Sequence, residues 1–158
     1  MSAEENRAIY HQYLEEVWNK GNINAVDAFV ASDFHNHMIV PGATVDHRAA
    51  MKMVVAAYRT TFPDYHVTVE AMVADEAMVA CHLRFQGTQH GVYYDRELGP
   101  IEPTGQEVTV RESHIVRFRE HKMVEKWMVL EYDSLAQLAM KAKGLSTDPP
   151  HEGYPPSY

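Results

Sequence analysis

Phe62-Pro63-Asp64-Tyr65-His66-Val67-Thr68-Val69-Glu70 is the stretch at which the chain changes its period. Before it, apolar residues recur at helical spacing; after it they alternate. Residues 4–20 carry Ala8-Ile9, Tyr13-Leu14 and Val17-Trp18 on a helical stripe that stops at Gly21, a residue suited to a helix C-cap. Asn24 is positioned to cap a second short helix holding Val26, Phe29 and Val30. Residues 34–40 read as extended and end at a Pro41-Gly42 turn. Asp46 caps a third helix whose apolar face is Ala50, Met53-Val54 and Ala57-Tyr58, and Pro63 ends it.

Downstream, residues 65–74 and 78–86 read as strands joined at Asp75-Glu76, and 106–119 and 122–131 as a second, long hairpin. Residues 91–105 between them form a loop. A last helix spans 134–143 and stops at Gly144. Helices first and strands second predict one α+β domain over residues 1–144, a curved antiparallel sheet with helices packed across its concave face. Residues 145–158, with four prolines and no period, form a tail that is disordered or lies along a surface as a lid or dimer strap. A curled sheet under helices encloses a pocket, the natural seat of a small molecule.

Composition narrows the function. The chain has 158 residues, 46% hydrophobic and 23% charged, as expected of one globular domain. Its formal net charge of -8, with no basic stripe, argues against nucleic acid as a partner. No apolar run reaches membrane-spanning length, and the acidic start Met1-Ser2-Ala3-Glu4-Glu5 lacks a signal-peptide pattern. Cys81 is a lone cysteine, which excludes an internal disulfide and a cysteine-rich metal site. A cytoplasmic location is the expectation. There is no phosphate-cradling glycine loop, no Gly-x-Ser-x-Gly elbow and no Cys-His nucleophile.

Several segments taken in order resemble the SnoaL-like polyketide cyclases, also called ester cyclases, of the NTF2-like superfamily. They are Asn19-Lys20-Gly21-Asn22, His37 before Pro41-Gly42, the 62–70 stretch above, Pro103-Thr104-Gly105, residues 125–131 and residues 134–138. The resemblance spans about residues 8–144. It implies an NTF2-like cone and cofactor-free chemistry on a hydrophobic, carbonyl-rich molecule, typically ring closure by aldol condensation. In those cyclases an aspartate directly after the tryptophan of a Glu-His-Trp-Asp motif is the base. Here the motif reads Glu125-Lys126-Trp127-Met128, and a thioether accepts no proton at a useful pH.

The replacement base comes from the long hairpin. Alternation places Glu112 and His114 on one strand face, with His114, helped by Glu112, as base or orienting donor; the competing reading is an exposed pair on a sheet edge or dimer face. A two-residue turn at Glu120-His121 sets His114 opposite Trp127. The favoured three-residue loop sets Glu112 opposite Met128 and His114 opposite Lys126. Lys126 is then an oxyanion donor or points to solvent. His35 and His37 share one side of a short strand, and the family places a histidine near the pocket where His37 stands, so His37 is a third candidate catalytic residue, holding a substrate carbonyl or hydroxyl; metal binding is the minor reading of the pair. From the family's Gly-Thr-His stretch, either Gln89 or His90 reaches the site. Glu131 is a second candidate base or a surface acid. Trp18, Phe34, Tyr58 and Phe62 line the helical side of the pocket, and Met128 is a wall.

The sequence therefore predicts cyclisation, isomerisation or related proton transfer on a polyketide-like or terpenoid-like substrate, by a homodimer needing no cofactor. The alternative is a non-catalytic small-molecule-binding or dimeric interaction protein of the same fold. In that case the sheet's outer residues His82, Arg84, Arg111, Ser113 and Arg117 provide the dimer face.

Overall fold

A computed structural model of the protein describes residues 1–38, 45–95, 99–131, 140, 143 and 144; for Asp95 and Glu131 it describes the backbone alone. The expected turn at Pro41-Gly42, the helix over 134–143, the proline-rich tail and the Glu131 side chain lie outside what is described.

Helix α1 (Ala3–Tyr13) begins with a reciprocal cap: Ser2 Oγ accepts the Glu5 backbone N–H, and the Glu5 carboxylate accepts that of Ser2. From Leu14 to Asn19 the same helix widens to π geometry, with Lys20 N–H bonding Glu15 C=O. The wide turn lines residue 18 up over residue 13, so the Trp18 indole donates to Tyr13 Oη at 3.0 Å. Gly21, at φ +69, then ends the helix as its sequence suggests.

The second helix starts differently from expectation. A 3-10 turn (Ile23–Ala25) leads straight into α2 (Val26–Phe29), so Asn24 lies inside the turn and caps nothing. The reversal at Gly21-Asn22 is already closed by backbone bonds, which leaves no free first turn for a side chain to cap. Strand β1 is Val30–Asn36, earlier than its sequence signal.

Helix α3 (His47–Thr61) is capped by Asp46, whose carboxylate accepts the N–H groups of Arg48 and Ala49. Its buried stripe is Met51, Val55 and, just past its end, Phe62, whereas Met53 is 73% exposed. The expected face was therefore rotated by about one residue. The stripe that reaches the sheet steps from Met51 by four and then seven, the helical repeat of the side chains that are largest on that side.

Strands β2 (His66–Ala74), β3 (Met78–Thr88), β6 (Glu107–Arg119) and β7 (Lys122–Glu131) pair antiparallel, and β1 adds to β7 in parallel. The resulting curved sheet has the order β1-β7-β6-β3-β2. Helix α1 packs on β2 and β3, and α3 on β1. The core between them holds Tyr10, Tyr13, Val17, Trp18, Val55, Leu83, Phe85 and Val116. The segment between the hairpins, read from sequence as a plain loop, carries a short hairpin of β4 (Tyr93–Asp95) and β5 (Gly99–Ile101). Its three pairs are too few to leave an alternating pattern, and its prolines conceal it.

The β6–β7 turn also departs from expectation. It has two residues, Glu120 at φ 50 and His121 at φ 62, with Arg119 paired to Lys122. Both left-handed residues match a type I′ turn even though neither is glycine. Val124 is then an extra residue on β7: Phe118 pairs Met123, but Arg117 pairs Glu125. His114 consequently faces Met128 and Glu112 faces Leu130. Neither loop length considered from sequence yields this register, because the bulge adds one residue beyond the turn.

Candidate active site

Along β6 the residues Val108, Val110, Glu112, His114, Val116 and Phe118 are buried, while Arg111, Ser113, Ile115 and Arg117 face outward. Glu112 and His114 are therefore a buried pair on the concave face, not an exposed one on a sheet edge. Across from them, the bulge turns Lys126 and Met128 inward as well, as partners of Val116 and His114.

His114 is 2% exposed and bonded at both nitrogens. Nδ1 lies 2.7 Å from Tyr10 Oη, and Nε2 lies 2.6 Å from Glu112 Oε2. With Glu112 as the carboxylate, Nε2–H donates to it and Nδ1 accepts the Tyr10 hydroxyl. Burial, reinforced by the nearby Lys126 charge, drives the imidazole pKa down to about 4 despite the opposing pull of Glu112. His114 is therefore neutral at pH 7. Burial likewise holds the Tyr10 hydroxyl firmly protonated. The three side chains form a relay from α1 to the sheet, and its last member reaches open space.

That space is a cavity of about 190 Å³ lined by Trp18, Asn36, Met38, Ala50, Met51, Val54, Tyr58, Tyr65, Glu112, Lys126 and Met128. An apolar cavity of roughly 150 Å³ holds a benzene ring, so this one admits a ring-sized ligand. A small adjoining void of about 20 Å³, with Phe62 and Phe85 in its wall, shares Tyr58, Tyr65 and Glu112 with it. Glu112 is the one carboxylate among the described lining residues.

Lys126 is 4% exposed. Its ammonium finds no hydrogen-bond acceptor among the described residues. Burial lowers its pKa, with Glu112 and Cys81 acting in the opposite direction. A charged amine in such a place is expensive unless a ligand or a proton loss relieves it.

The residues singled out from sequence separate into groups. Trp18, Tyr58, Met128 and Glu112 wall the cavity, Phe62 walls the smaller void, and His114 stands directly behind Glu112. Phe34 is buried in the core rather than in either wall. His37 is a correction. Its ring stacks on Trp127 at 4.7 Å and bonds Glu125 at 2.9 Å, on the opposite face of the sheet from the cavity. In β1 it is Asn36, paired with Lys126, that turns inward, so odd positions there turn out. His35 does share the outer side with His37, their rings 4.5 Å apart, and His47 adjoins them.

Gln89 is the second correction. It is wholly buried, yet its amide donates towards the carbonyls of Gly91, Ile101 and Glu102 and accepts from Thr104. Its hydrogen-bonding capacity is spent on bracing the 89–104 segment. His90 is exposed and lies outside the described walls of both spaces. The sequence reading missed Tyr10, whose signal was the four-residue step from buried Asn6 to Tyr10 and on to Leu14. It also left Lys126 undecided.

Comparison with known proteins agrees with this architecture. The family description for SnoaL-like polyketide cyclases matches residues 8–139. No curated protein matches the chain. Among solved structures, AclR from Streptomyces galilaeus, a candidate hydroxylase, superposes with TM-score 0.75 at 23% identity, covering 94% of this chain and 87% of its own. TsrD from Streptomyces laurentii gives TM-score 0.75 at 14% identity, over 88% and 97%. IdmH from Streptomyces antibioticus, a candidate polyketide cyclase, gives 0.67 at 21%, over 84% and 96%. At these identities the likeness is one of fold.

Proposed function

The chain belongs to the SnoaL-like polyketide cyclase family, and from that premise we propose that it is a cofactor-independent enzyme catalysing cyclisation, isomerisation or a related proton transfer on a hydrophobic, carbonyl-bearing small molecule. The observation that supports this reading is the position of Glu112. It is the carboxylate of the cavity wall where the family's base position is held by Met128. Glu112 removes the proton alpha to the substrate carbonyl. His114 does not touch the cavity; it orients the carboxylate, held in turn by Tyr10. Of the two roles expected of His114 from sequence, this reading keeps the orienting one and gives the base to Glu112. Lys126 meets the carbonyl end of the ligand, and Trp18, Tyr58 and Tyr65 enclose its ring.

Two copies pairing through the outer sheet face belong to the same reading. Ile115, Val129 and Val73 are exposed there, beside the Glu70–Arg84–Arg111 and Glu125–Arg117 ion pairs. Light scattering behind a sizing column distinguishes dimer from monomer.

The functional test is hydrogen–deuterium exchange at the alpha carbon of 1-tetralone in D2O, followed by NMR. The wild-type chain accelerates exchange, and Glu112→Gln removes about two orders of magnitude or more of that acceleration. Equal exchange in wild type and Glu112→Gln, or no acceleration at all, overturns the proposal.

A further inference from the structure

We infer that Lys126 is a covalent catalytic residue whose amine condenses with a ketone or aldehyde carbon of the ligand to form an iminium ion. The inference rests on the functional reading above and adds to it the class of bond made.

Four observations carry it. The Nζ group sits in a side chain that is 96% buried (4% exposed) yet lines the cavity. No described residue accepts a hydrogen bond from it, which leaves its bonding capacity open to a ligand in that space. The surrounding wall is predominantly apolar and aromatic, with Trp18, Tyr58 and Met128 nearest in kind. Burial shifts the group towards its neutral, nucleophilic form. An amine that is desolvated, without a hydrogen-bond acceptor among the described residues and set in the wall of a ring-sized cavity is the arrangement that Schiff-base lysines require. Glu112, in the same wall, supplies the proton transfers.

The step balances without any external oxidant or reductant. The Nζ lone pair forms a C–N bond, and the carbonyl π pair moves to oxygen, which takes a proton. A second proton lets that oxygen leave as water, giving the iminium. Glu112 then takes the alpha proton, and the C–H pair becomes the enamine double bond. The enamine carbon attacks a second carbonyl of the same molecule. Water finally adds to the regenerated iminium and releases the free amine.

The test uses the full chain and 2,4-pentanedione. With a reactive amine this diketone loses one water and gives a conjugated enaminone, visible as a new near-ultraviolet band and stable to peptide mapping. The expected result at neutral pH is one adduct per chain, located on Lys126, with the exposed Lys20 and the half-buried Lys52 and Lys122 unmodified. Lys126→Arg keeps the positive charge and Lys126→Met keeps the apolar packing; both lose the band while circular dichroism shows a folded chain. Absence of an adduct in the wild type overturns the inference, as does an adduct spread over the surface lysines or one that persists in Lys126→Arg. Because the wild type alone locates the adduct, the test survives a variant that fails to fold. Tetralone exchange without an adduct leaves the proton-transfer reading in place and removes this one; an adduct without exchange does the reverse.

Discussion

Tyr10 Oη lies 2.7 Å from His114 Nδ1, although 104 residues separate the two in sequence. The bond ties the first helix to the central strand of the sheet through a fully buried pair. Tyr10→Phe leaves Nδ1 buried without its donor, a penalty of about 1–3 kcal/mol. Urea unfolding at pH 7 should show that loss, and His114→Gln on top of Tyr10→Phe should cost less than the sum of the two single changes.

Acid should destabilise the fold earlier than its carboxylates alone dictate. His114 has a pKa of about 4 in the fold against an ordinary 6.5. Above 6.5 it is neutral in both states and stability is complete. As pH falls from 6.5 to 4, the unfolded chain binds a proton that the folded chain refuses, and stability drops by about 3 kcal/mol in total. Urea midpoints measured between pH 7 and pH 5 should decline in the wild type and flatten in His114→Gln.

Gln89 braces a loop and should behave accordingly. Gln89→Leu strands the Ile101 and Glu102 carbonyls and the Thr104 hydroxyl, costing about 2 kcal/mol of stability. Thermal unfolding should register it, while the dissociation constant for tetralone, read by tryptophan fluorescence, stays within a factor of about three of wild type.

The β6–β7 turn can be improved. Glu120 and His121 both hold left-handed backbone conformations that glycine and asparagine adopt more readily. Glu120→Asn together with His121→Gly should stabilise the fold by about 1 kcal/mol, seen as a higher calorimetric midpoint with unchanged exchange activity.

Met128→Asp returns a carboxylate to the wall opposite His114. In a Glu112→Gln background it should recover about a hundredfold of tetralone exchange, measured in the same NMR experiment. No recovery would place the family's base position elsewhere in the cavity.

Much of this was readable in the residues. The switch at Pro63 from a 3.6-residue period to a two-residue period sets the α+β class, and the alternation along β6 puts Glu112 and His114 on one face. What escaped depended on pairing rather than pattern. His37 was misplaced because a short strand shows two faces equally well in sequence. Only its pairing beside Glu125 and Lys126 says which one is inside. Gln89 resembled a pocket amide because a buried glutamine has the same sequence appearance whether its partners are ligand or backbone. Lys126 stayed open because the extra residue at Val124 decides its direction, and a bulge has no residue signature where the extra residue, valine, is itself a strand former.

That bulge also determines which length changes this strand can survive over generations. Loss of Val124 would leave every pair from Arg117–Glu125 onward as it is. Loss of Lys126 would bring Trp127 into the cavity in its place, and gain of one residue just before Lys126 would turn the amine out. Descendant sequences can therefore shorten at one position of β7 without touching the chemistry. A codon removed a few positions later exchanges one pocket for another in a single event.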